Sequence, residues 1–239
     1  EEMMKVNVLG TKQVLKFCEV VSIEHFIFIS STSVYKHRSL EEVKINNIEL
    51  YPNSTYGKSK LEAEKLVSKF YGSSYIVRMA TLFGNGDKYN LYRLSNAIAR
   101  GKFFIPGIGD TKKSVISIEL ASQLILRLPF NKTLKSEVIN FSIPCSPTFR
   151  EICHCFSTLH KKKKPKEISF FSSRIIAFIC DFLSIFFKLP FNSLILNKLS
   201  LHTNVSTYKL KILFPELSNI DFKHYLWESK EYYTSPNNS

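Results

Sequence analysis

The feature that most limits the fold of this chain is an alternation of short apolar runs with helical segments over residues 3–141. The apolar runs predict strands at 25–31, 74–79, 103–105, 114–118 and 137–141, and helices are predicted at 3–21, 56–71, 90–100 and 119–128. Strands that alternate with helices form parallel sheets whose two faces are covered by the helices. We therefore predict an α/β protein built on a buried parallel sheet.

Beyond residue 143 the pattern becomes mainly helical. The clearest helix is predicted at 148–160, where Thr148 is a suitable N-cap and Glu151 follows three residues later, as in a capping box. We divide the chain into residues 1–143, which contain the sheet, and residues 144–239, a mostly helical region. The tail from Tyr232 onward is expected to be frayed.

Three side chains predict a proton-transfer site in the first region. Ser31 ends an apolar strand, while Tyr56 and Lys60 stand four residues apart at the start of a helix and therefore share one helical face. An ammonium beside a phenol favours the phenolate and lowers a pKa that is ordinarily about 10. A serine hydroxyl can hold the same substrate oxygen, so this group of residues suits alcohol oxidation and carbonyl reduction.

The composition is basic, with a net charge of +13, and Lys161–Lys164 form an uninterrupted run. No helix-turn-helix or stacked-aromatic pattern accompanies the basic residues, so nucleic acid is not expected as a partner. The positive field suits an anionic substrate such as a nucleotide diphosphate, and the lysine run allows weak attraction to a membrane surface.

Residues 168–189 are the one candidate for a membrane segment. The apolar sequence is interrupted by Arg174 and Asp181 and ends at Pro190, whereas a spanning helix needs about 20 mainly apolar residues. A buried or groove-covering helix is the first interpretation, association with a membrane surface the second and a true span the last.

The five cysteines lack disulfide-like spacing, and no signal peptide is evident, so we expect a reducing cytoplasm. Cys153, His154 and Cys155 resemble a metal-ligand cluster. However, positions i and i+2 point apart on a helix and no second ligand pair follows, so no metal is expected.

These residues also carry a family resemblance. The chain resembles the extended short-chain dehydrogenases/reductases, specifically the NAD-dependent epimerase/dehydratase family acting on nucleotide sugars. The motifs that resemble it, in chain order, are Asn7-Val8-Leu9-Gly10-Thr11, Ser30-Ser31-Thr32-Ser33-Val34-Tyr35, Tyr56-Gly57-Lys58-Ser59-Lys60, Arg78-Met79-Ala80-Thr81-Leu82-Phe83-Gly84, Arg100-Gly101-Lys102, Pro106-Gly107-Ile108-Gly109 and Ile118-Glu119-Leu120-Ala121. The resemblance implies the C-terminal part of a Rossmann-like doubly wound parallel sheet, with a smaller, mostly helical substrate domain.

The resemblance also implies NAD as cofactor. Tyr56 would be the catalytic acid/base and Lys60 would lower its pKa, and both would bind the nicotinamide ribose. Asn7 would lie near the cofactor ribose, while Met79 and Ala80 would line the nicotinamide.

The implied substrate is a nucleotide-diphosphate sugar, and the implied role is the building of cell-surface polysaccharide. Ser31 would bind the reacting sugar oxygen and Thr81 would line the sugar. Lys113 falls where many relatives have an arginine that grips the diphosphate; lysine keeps the charge but lacks the bidentate fork. A homodimer is left open.

The family's glycine-rich turn, which brings backbone N–H groups to the cofactor pyrophosphate, does not occur in these 239 residues. The simplest interpretation is a fragment without its first two or three βα units; the alternative is a natural truncation. We expect the 239 residues by themselves to bind NAD poorly.

The residues after Ser31 narrow the reaction. Relatives that dehydrate the sugar have an Asp-Glu pair there, whereas this chain has Thr32 and Ser33, neither of which can exchange a proton as a carboxylate does. We therefore predict a 4-epimerase acting through a transient 4-keto sugar. A nucleotide-sugar oxidoreductase or 4-ketoreductase is the second hypothesis, and a truncated non-catalytic paralogue is the third.

Overall fold

The computed structural model describes residues 2–36, 50–101, 103–107, 109–130, 136–184 and 191–235. Most of the predicted loop at 36–54, as well as Lys102, Ile108 and the end of the tail, lie outside the described residues. The helices are α1 Glu2–Met4, α2 Gly10–Val20, α3 Thr55–Val67, α4 Asn90–Ala99, α5 Ile118–Arg127, α6 Phe149–Leu159, α7 Phe170–Leu183, α8 Ser193–Ser200, α9 Tyr208–Leu213, α10 Phe222–Glu228 and α11 Lys230–Thr234. The strands are β1 His25–Ser31, β2 Ser73–Met79, β3 Thr81–Phe83, β4 Phe104–Pro106, β5 Val115–Ser117, β6 Glu137–Phe141 and β7 Lys166–Ile168.

The central sheet has the strand order β1-β2-β6, and both pairs are parallel. The register aligns Ser31 with Met79 and Met79 with Phe141, so the three strands end at one edge. Two shorter parallel pairs, β3 with β5 and β4 with β7, extend the described structure. The predicted α/β fold with parallel strands is confirmed.

Successive side chains of a strand point to opposite sides, and in β2 both of these sides are buried. Ile76 packs with Leu15 of α2 and with Ala63 and Val67 of α3. Val77 faces the other way, into the larger core. Helices therefore cover one side of the sheet while the main core covers the other.

The larger core contains side chains from both predicted regions. Phe83 of β3 and Phe156 of α6 each contact the ring of Phe222, with centroids 4.9 and 6.3 Å apart. The division at residue 143 stays a prediction. The Thr148–Glu151 capping box is present, as the sequence predicted.

The C-terminal tail differs from its prediction over its first part. Tyr232 and Tyr233 lie in α11, and the Tyr233 hydroxyl accepts a hydrogen bond from the Gly84 amide at 2.9 Å. Aromatic packing against α4 holds this helix in place. The polar residues after Thr234 suggested a frayed tail, and nothing in the sequence indicated that Tyr232 and Tyr233 would be held by packing.

The N-terminal helix also departs from the single element predicted at 3–21. Residues Lys5–Leu9 form a π-helical turn between α1 and α2. Such turns occur frequently at functional sites, and this one contains Asn7.

The segment considered for the membrane forms α7, of 14 residues. Among the described residues, no helix is both long and apolar enough to cross a bilayer; residues 185–190 lie outside them. Small side chains, Ser173 and Ala177, form the buried face of α7, while large apolar side chains such as Phe171 and Phe178 are exposed.

Candidate active site

The candidate site lies at the carboxyl edge of the central sheet. Ser31 and Met79 stand side by side where β1 and β2 end. Beyond that point, the Ala80 amide donates to Phe141 O at 2.9 Å and the Thr81 amide to Ser114 O at 3.3 Å. Ligands of open α/β sheets bind at this edge, so the strand ends predicted from sequence occupy a suitable position.

A close approach of α3 to the end of β1 positions Tyr56. Ser54 caps α3 by accepting from the Gly57 amide at 3.0 Å. A Cβ atom placed on Gly57 would lie only 2.3 Å from the Ser33 carbonyl oxygen. Glycine at position 57 therefore allows the first turn of α3 to touch the loop after Ser31.

Tyr56 and Ser31 meet in the site. The Ser31 hydroxyl lies close enough to the Tyr56 side chain to act on its pKa, and Tyr56 remains 40% exposed. Burial raises the pKa of Tyr56, while the Ser31 hydrogen bond acts in the opposite direction. An accessible phenol beside a serine hydroxyl can exchange a proton with a substrate hydroxyl.

Lys60 lies near Tyr56 but does not act on it as the sequence predicted. Its Nζ atom donates to Ile29 O at 2.9 Å and lies 5.9 Å from the centre of the Tyr56 ring. The expected lowering of the Tyr56 pKa is not found: that pKa is raised because burial outweighs the Ser31 bond. Burial also lowers the pKa of Lys60, because it disfavours the charged form of the amine.

Asn7 contacts α3 through its side-chain amide. Asn7 Nδ2 donates to Ser59 Oγ at 2.9 Å, and Ser59 Oγ donates to Tyr56 O at 2.8 Å. This chain of hydrogen bonds joins the π-helical turn to the turn that contains Tyr56. The contact supports a positioning role for Asn7, and its predicted contact with a cofactor ribose stays a prediction.

The segment after β2 is largely enclosed. Met79 and Ala80 are buried, and Thr81 is partly exposed. They follow directly from the strand that neighbours Ser31, which supports their predicted place beside the nicotinamide and the sugar.

Lys113 has partners that its sequence did not reveal. Its ammonium donates to the carbonyl oxygens of Lys198, Leu199 and Leu201, at 3.2, 2.9 and 2.5 Å, at the C-terminal end of α8. Burial lowers its pKa to about 8. Binding a substrate diphosphate would require this ammonium to exchange carbonyl oxygens for phosphate oxygens.

A buried network supports the site and was not predicted. Both Glu64 carboxylate oxygens accept from Arg78, at 3.0 and 2.7 Å, and Ser30 also donates to Glu64. Arg78 donates to the Tyr35 hydroxyl, which donates to Asn140 at 2.7 Å. The network ties α3 to all three strands of the central sheet. Glu64 stands one helical turn after Lys60 and therefore on the same face of α3. That spacing was the one sign in the sequence that Glu64 would face the sheet.

The two residues after Ser31 belong to a short 3-10 helix, Thr32–Val34. Ser31 Oγ donates to Ser33 Oγ at 3.1 Å, and Thr32 is buried. These hydroxyls hold the loop in place, and neither supplies a carboxylate.

The first comparison with known proteins concerns the family. Residues 1–119 match the sequence model of the NAD-dependent epimerase/dehydratase family. The matched residues include the Ser31–Tyr56–Lys60 site and the segment after β2. Together with the sequence relatives, this match shows that the chain belongs to the NAD-dependent epimerase/dehydratase family.

Two curated relatives are 4-epimerases. The chain is 34% identical over 145 residues to the N-acetyl-alpha-D-glucosaminyl-diphospho-ditrans,octacis-undecaprenol 4-epimerase of Escherichia coli O157:H7, covering 57% of this chain and 42% of the relative. It is 33% identical over 131 residues to the UDP-glucose 4-epimerase of Vibrio cholerae, covering 51% and 39%. The chain thus spans less than half the length of either relative.

Among solved structures, the dTDP-glucose 4,6-dehydratase of Bacillus anthracis in complex with NAD is similar in fold. The TM-score is 0.72 at 16% identity, and the match covers 98% of this chain and 70% of that one. Dehydratases and epimerases share this fold, so the reaction must be argued from the site.

Proposed function

We propose that the full-length protein is an NAD-dependent 4-epimerase of a sugar bound through its diphosphate to a nucleotide. The observation that carries the proposal is the contact of Tyr56 with Ser31 at the carboxyl edge of the sheet. The two 4-epimerases among the relatives support the reaction type.

The side chains at this edge fit the nicotinamide end of NAD, since an accessible phenol, a nearby ammonium and the buried Met79–Ala80 segment lie together. When bound, NAD supplies reversible hydride transfer at C4 of the sugar. The phenolate form of Tyr56 takes the proton of the C4 hydroxyl as the hydride leaves, and Ser31 holds the same oxygen. After the keto sugar turns its opposite face, Tyr56 returns the proton to the oxygen as the hydride is added back.

Thr32 and Ser33 support epimerisation over dehydration. Removal of water from C5 and C6 needs a group that moves protons there, and hydroxyl groups are poor acids and bases near neutral pH. The expected product is thus an isomer of the substrate with unchanged mass.

A second candidate substrate is a sugar carried on a lipid diphosphate. The relative from E. coli is named for such a substrate, and the exposed apolar side chains of α7 favour a site near a membrane. The reaction at C4 and the roles of Tyr56 and Ser31 would be unchanged.

The experiment incubates full-length protein and NAD separately with UDP-glucose, UDP-N-acetylglucosamine and undecaprenyl-diphosphate N-acetylglucosamine. Conversion to the C4 isomer of one of them, detected by NMR after release of the sugar, is the expected result. A product lighter by one water would instead identify a dehydratase, and net formation of NADH would identify an oxidoreductase. A protein that binds NAD and converts none of the three would contradict the proposal.

The finer expectations about location and assembly also stay proposals. The five cysteines, all free where described, support a reducing cytoplasm. A homodimer is tested by light scattering of the full-length protein.

A further inference from the structure

The orientation of α7 is the reverse of that expected for a surface helix. Its buried side chains are Ser173 and Ala177, both fully enclosed. The opposite face carries a continuous apolar stripe, whose members and exposed fractions are Phe171 74%, Ile175 46%, Phe178 73%, Ile179 49% and Phe182 64%. Spacings of three and four residues place all five on one side of the helix. A soluble protein rarely leaves such a stripe in water without a partner.

Basic side chains lie close to this apolar stripe along the chain. Residues 161–184 contain six basic and two acidic side chains. Lys161–Lys164 are all exposed, and so are Lys166 of β7 and Arg174 of α7 itself. The chain from Lys164 to the start of α7 can span at most about 20 Å, so the lysine run stays close to the stripe.

An apolar stripe beside a basic cluster is complementary to an anionic bilayer. Aromatic side chains on one face of an interfacial helix enter the boundary between headgroups and acyl chains, while nearby lysines attract acidic headgroups. The 14 residues of α7 give a length of about 21 Å, which suits a helix lying in the membrane plane. A purely apolar protein partner would gain nothing from the adjoining lysines.

We propose that the apolar stripe of α7 and Lys161–Lys164 form a docking surface for anionic lipid bilayers. Docking is reversible and peripheral, and it does not depend on the proposed reaction. It would hold the protein at the surface where a lipid-carried sugar is found, yet a soluble nucleotide sugar would remain an acceptable substrate.

The test is flotation of the full-length protein with vesicles of phosphatidylcholine alone or mixed with 30 mol% phosphatidylglycerol. We expect binding to the anionic vesicles, with at least tenfold weaker binding to the neutral ones and a marked loss in high salt. Substituting Phe171, Phe178 and Phe182 together by Ser should weaken binding tenfold or more. Substituting Lys161–Lys164 by Gln should have a similar effect, because charge attraction and apolar insertion act together.

Matched controls separate docking from general effects. Phe130→Ser changes another phenylalanine, 83% exposed, outside α7. A quadruple Gln variant at Lys12, Lys16, Lys69 and Lys88, which are all exposed, removes the same charge. Both controls should bind within twofold of the unchanged protein, and circular dichroism should show every variant folded.

Three results would overturn the proposal. The first is a failure of the protein to float with anionic vesicles, and the second is equal flotation after either the α7 or the lysine substitution. Alternatively, light scattering could show that the Phe variant turns a dimer into a monomer without any vesicle binding, which would identify the stripe as a contact between copies.

Discussion

At the scale of single residues, the main feature is a tyrosine whose environment opposes ionisation. Burial raises the pKa of Tyr56, and Ser31 provides the described side-chain hydrogen bond that lowers it. Lys60 contacts a strand carbonyl instead of the phenol. Burial therefore has the larger effect on the Tyr56 pKa, and the contact with Ser31 opposes it only in part.

Tyr56→Phe should abolish epimerisation, because the phenyl ring keeps the packing and loses the proton. Turnover should fall by at least a thousandfold in the full-length protein, while NAD binding measured by calorimetry changes little. Tyr89→Phe, at an exposed tyrosine before α4, is the matched control and should keep full activity. Retention of more than a few per cent of the rate by Tyr56→Phe would exclude this residue as the acid/base.

Ser31→Ala should shift the pH dependence of kcat. Removing the hydrogen bond removes an influence that lowers the pKa of Tyr56, so the pKa rises and less phenolate is present at any given pH. The ascending limb of the kcat profile should move to higher pH. Ser33→Ala, at the neighbouring hydroxyl, should leave the limb near its original position. A uniform loss of rate without a shift would show that Ser31 only binds the substrate.

Lys113 allows a separate test of diphosphate binding. Its pKa is lowered to about 8 by burial, so the charge is lost as the pH rises through that value. If Lys113 grips the diphosphate, kcat/KM should fall above pH 8 by about tenfold to a hundredfold, as expected for one charged hydrogen bond. Lys113→Arg should remove this decline, and Lys112→Met, at the exposed neighbour, should not affect it. A flat profile would leave Lys113 as a cap of α8.

At the scale of secondary-structure elements, the junction between β1 and α3 determines the site. Gly57 lets the helix touch the Ser33 carbonyl, and the Glu64–Arg78 pair holds the same helix against the sheet one turn beyond Lys60. Removing one member of such a buried pair generally costs about 3–5 kcal/mol, because an uncompensated charge remains.

Gly57→Ala tests this junction. The added Cβ would lie 2.3 Å from a backbone oxygen, so α3 must move away from Ser31. We expect the free energy of unfolding to fall by about 1–3 kcal/mol, as for overpacked cores. The protein should stay folded under assay conditions, yet its kcat should be clearly reduced. Gly10→Ala is the control, since a Cβ there meets nothing within 4 Å and should be neutral or slightly stabilising in a helix. Wild-type kcat in Gly57→Ala would contradict the proposed junction.

The same junction explains what the sequence could predict. Apolar periodicity located the strands and helices, and the order of the motifs placed Ser31, Tyr56 and Lys60 together. The sequence could not show where the Lys60 ammonium points. Its partner, Ile29 O, is within reach only because of how the helix packs against the strand. The carbonyl partners of Lys113 lie 85 to 88 residues away in sequence and leave no local pattern. The direction of the Tyr56 pKa shift was missed for the same reason.

At the scale of the whole molecule, one core joins regions that the sequence separated at residue 143. Phe83 belongs to the first region, while Phe156 and Phe222 belong to the second. Because these rings are buried together, the stability of each region depends on the other region being folded. The parts of the molecule that carry the proposed catalytic side chains and the proposed membrane surface would then lose their structure together.

This dependence predicts one cooperative unfolding transition for the 239-residue chain. Trp227, the only tryptophan, lies in α10 and reports on the second region by fluorescence, whereas circular dichroism reports on all helices and strands. The two denaturation curves should coincide, as they do for two-state unfolding. Phe222→Ala should move both curves together by about 3–5 kcal/mol, the usual cost of deleting a buried phenylalanine, while Phe130→Ala at an exposed ring should move neither. If Phe222→Ala shifts the fluorescence curve alone, the two regions unfold independently and the division at residue 143 marks separate domains.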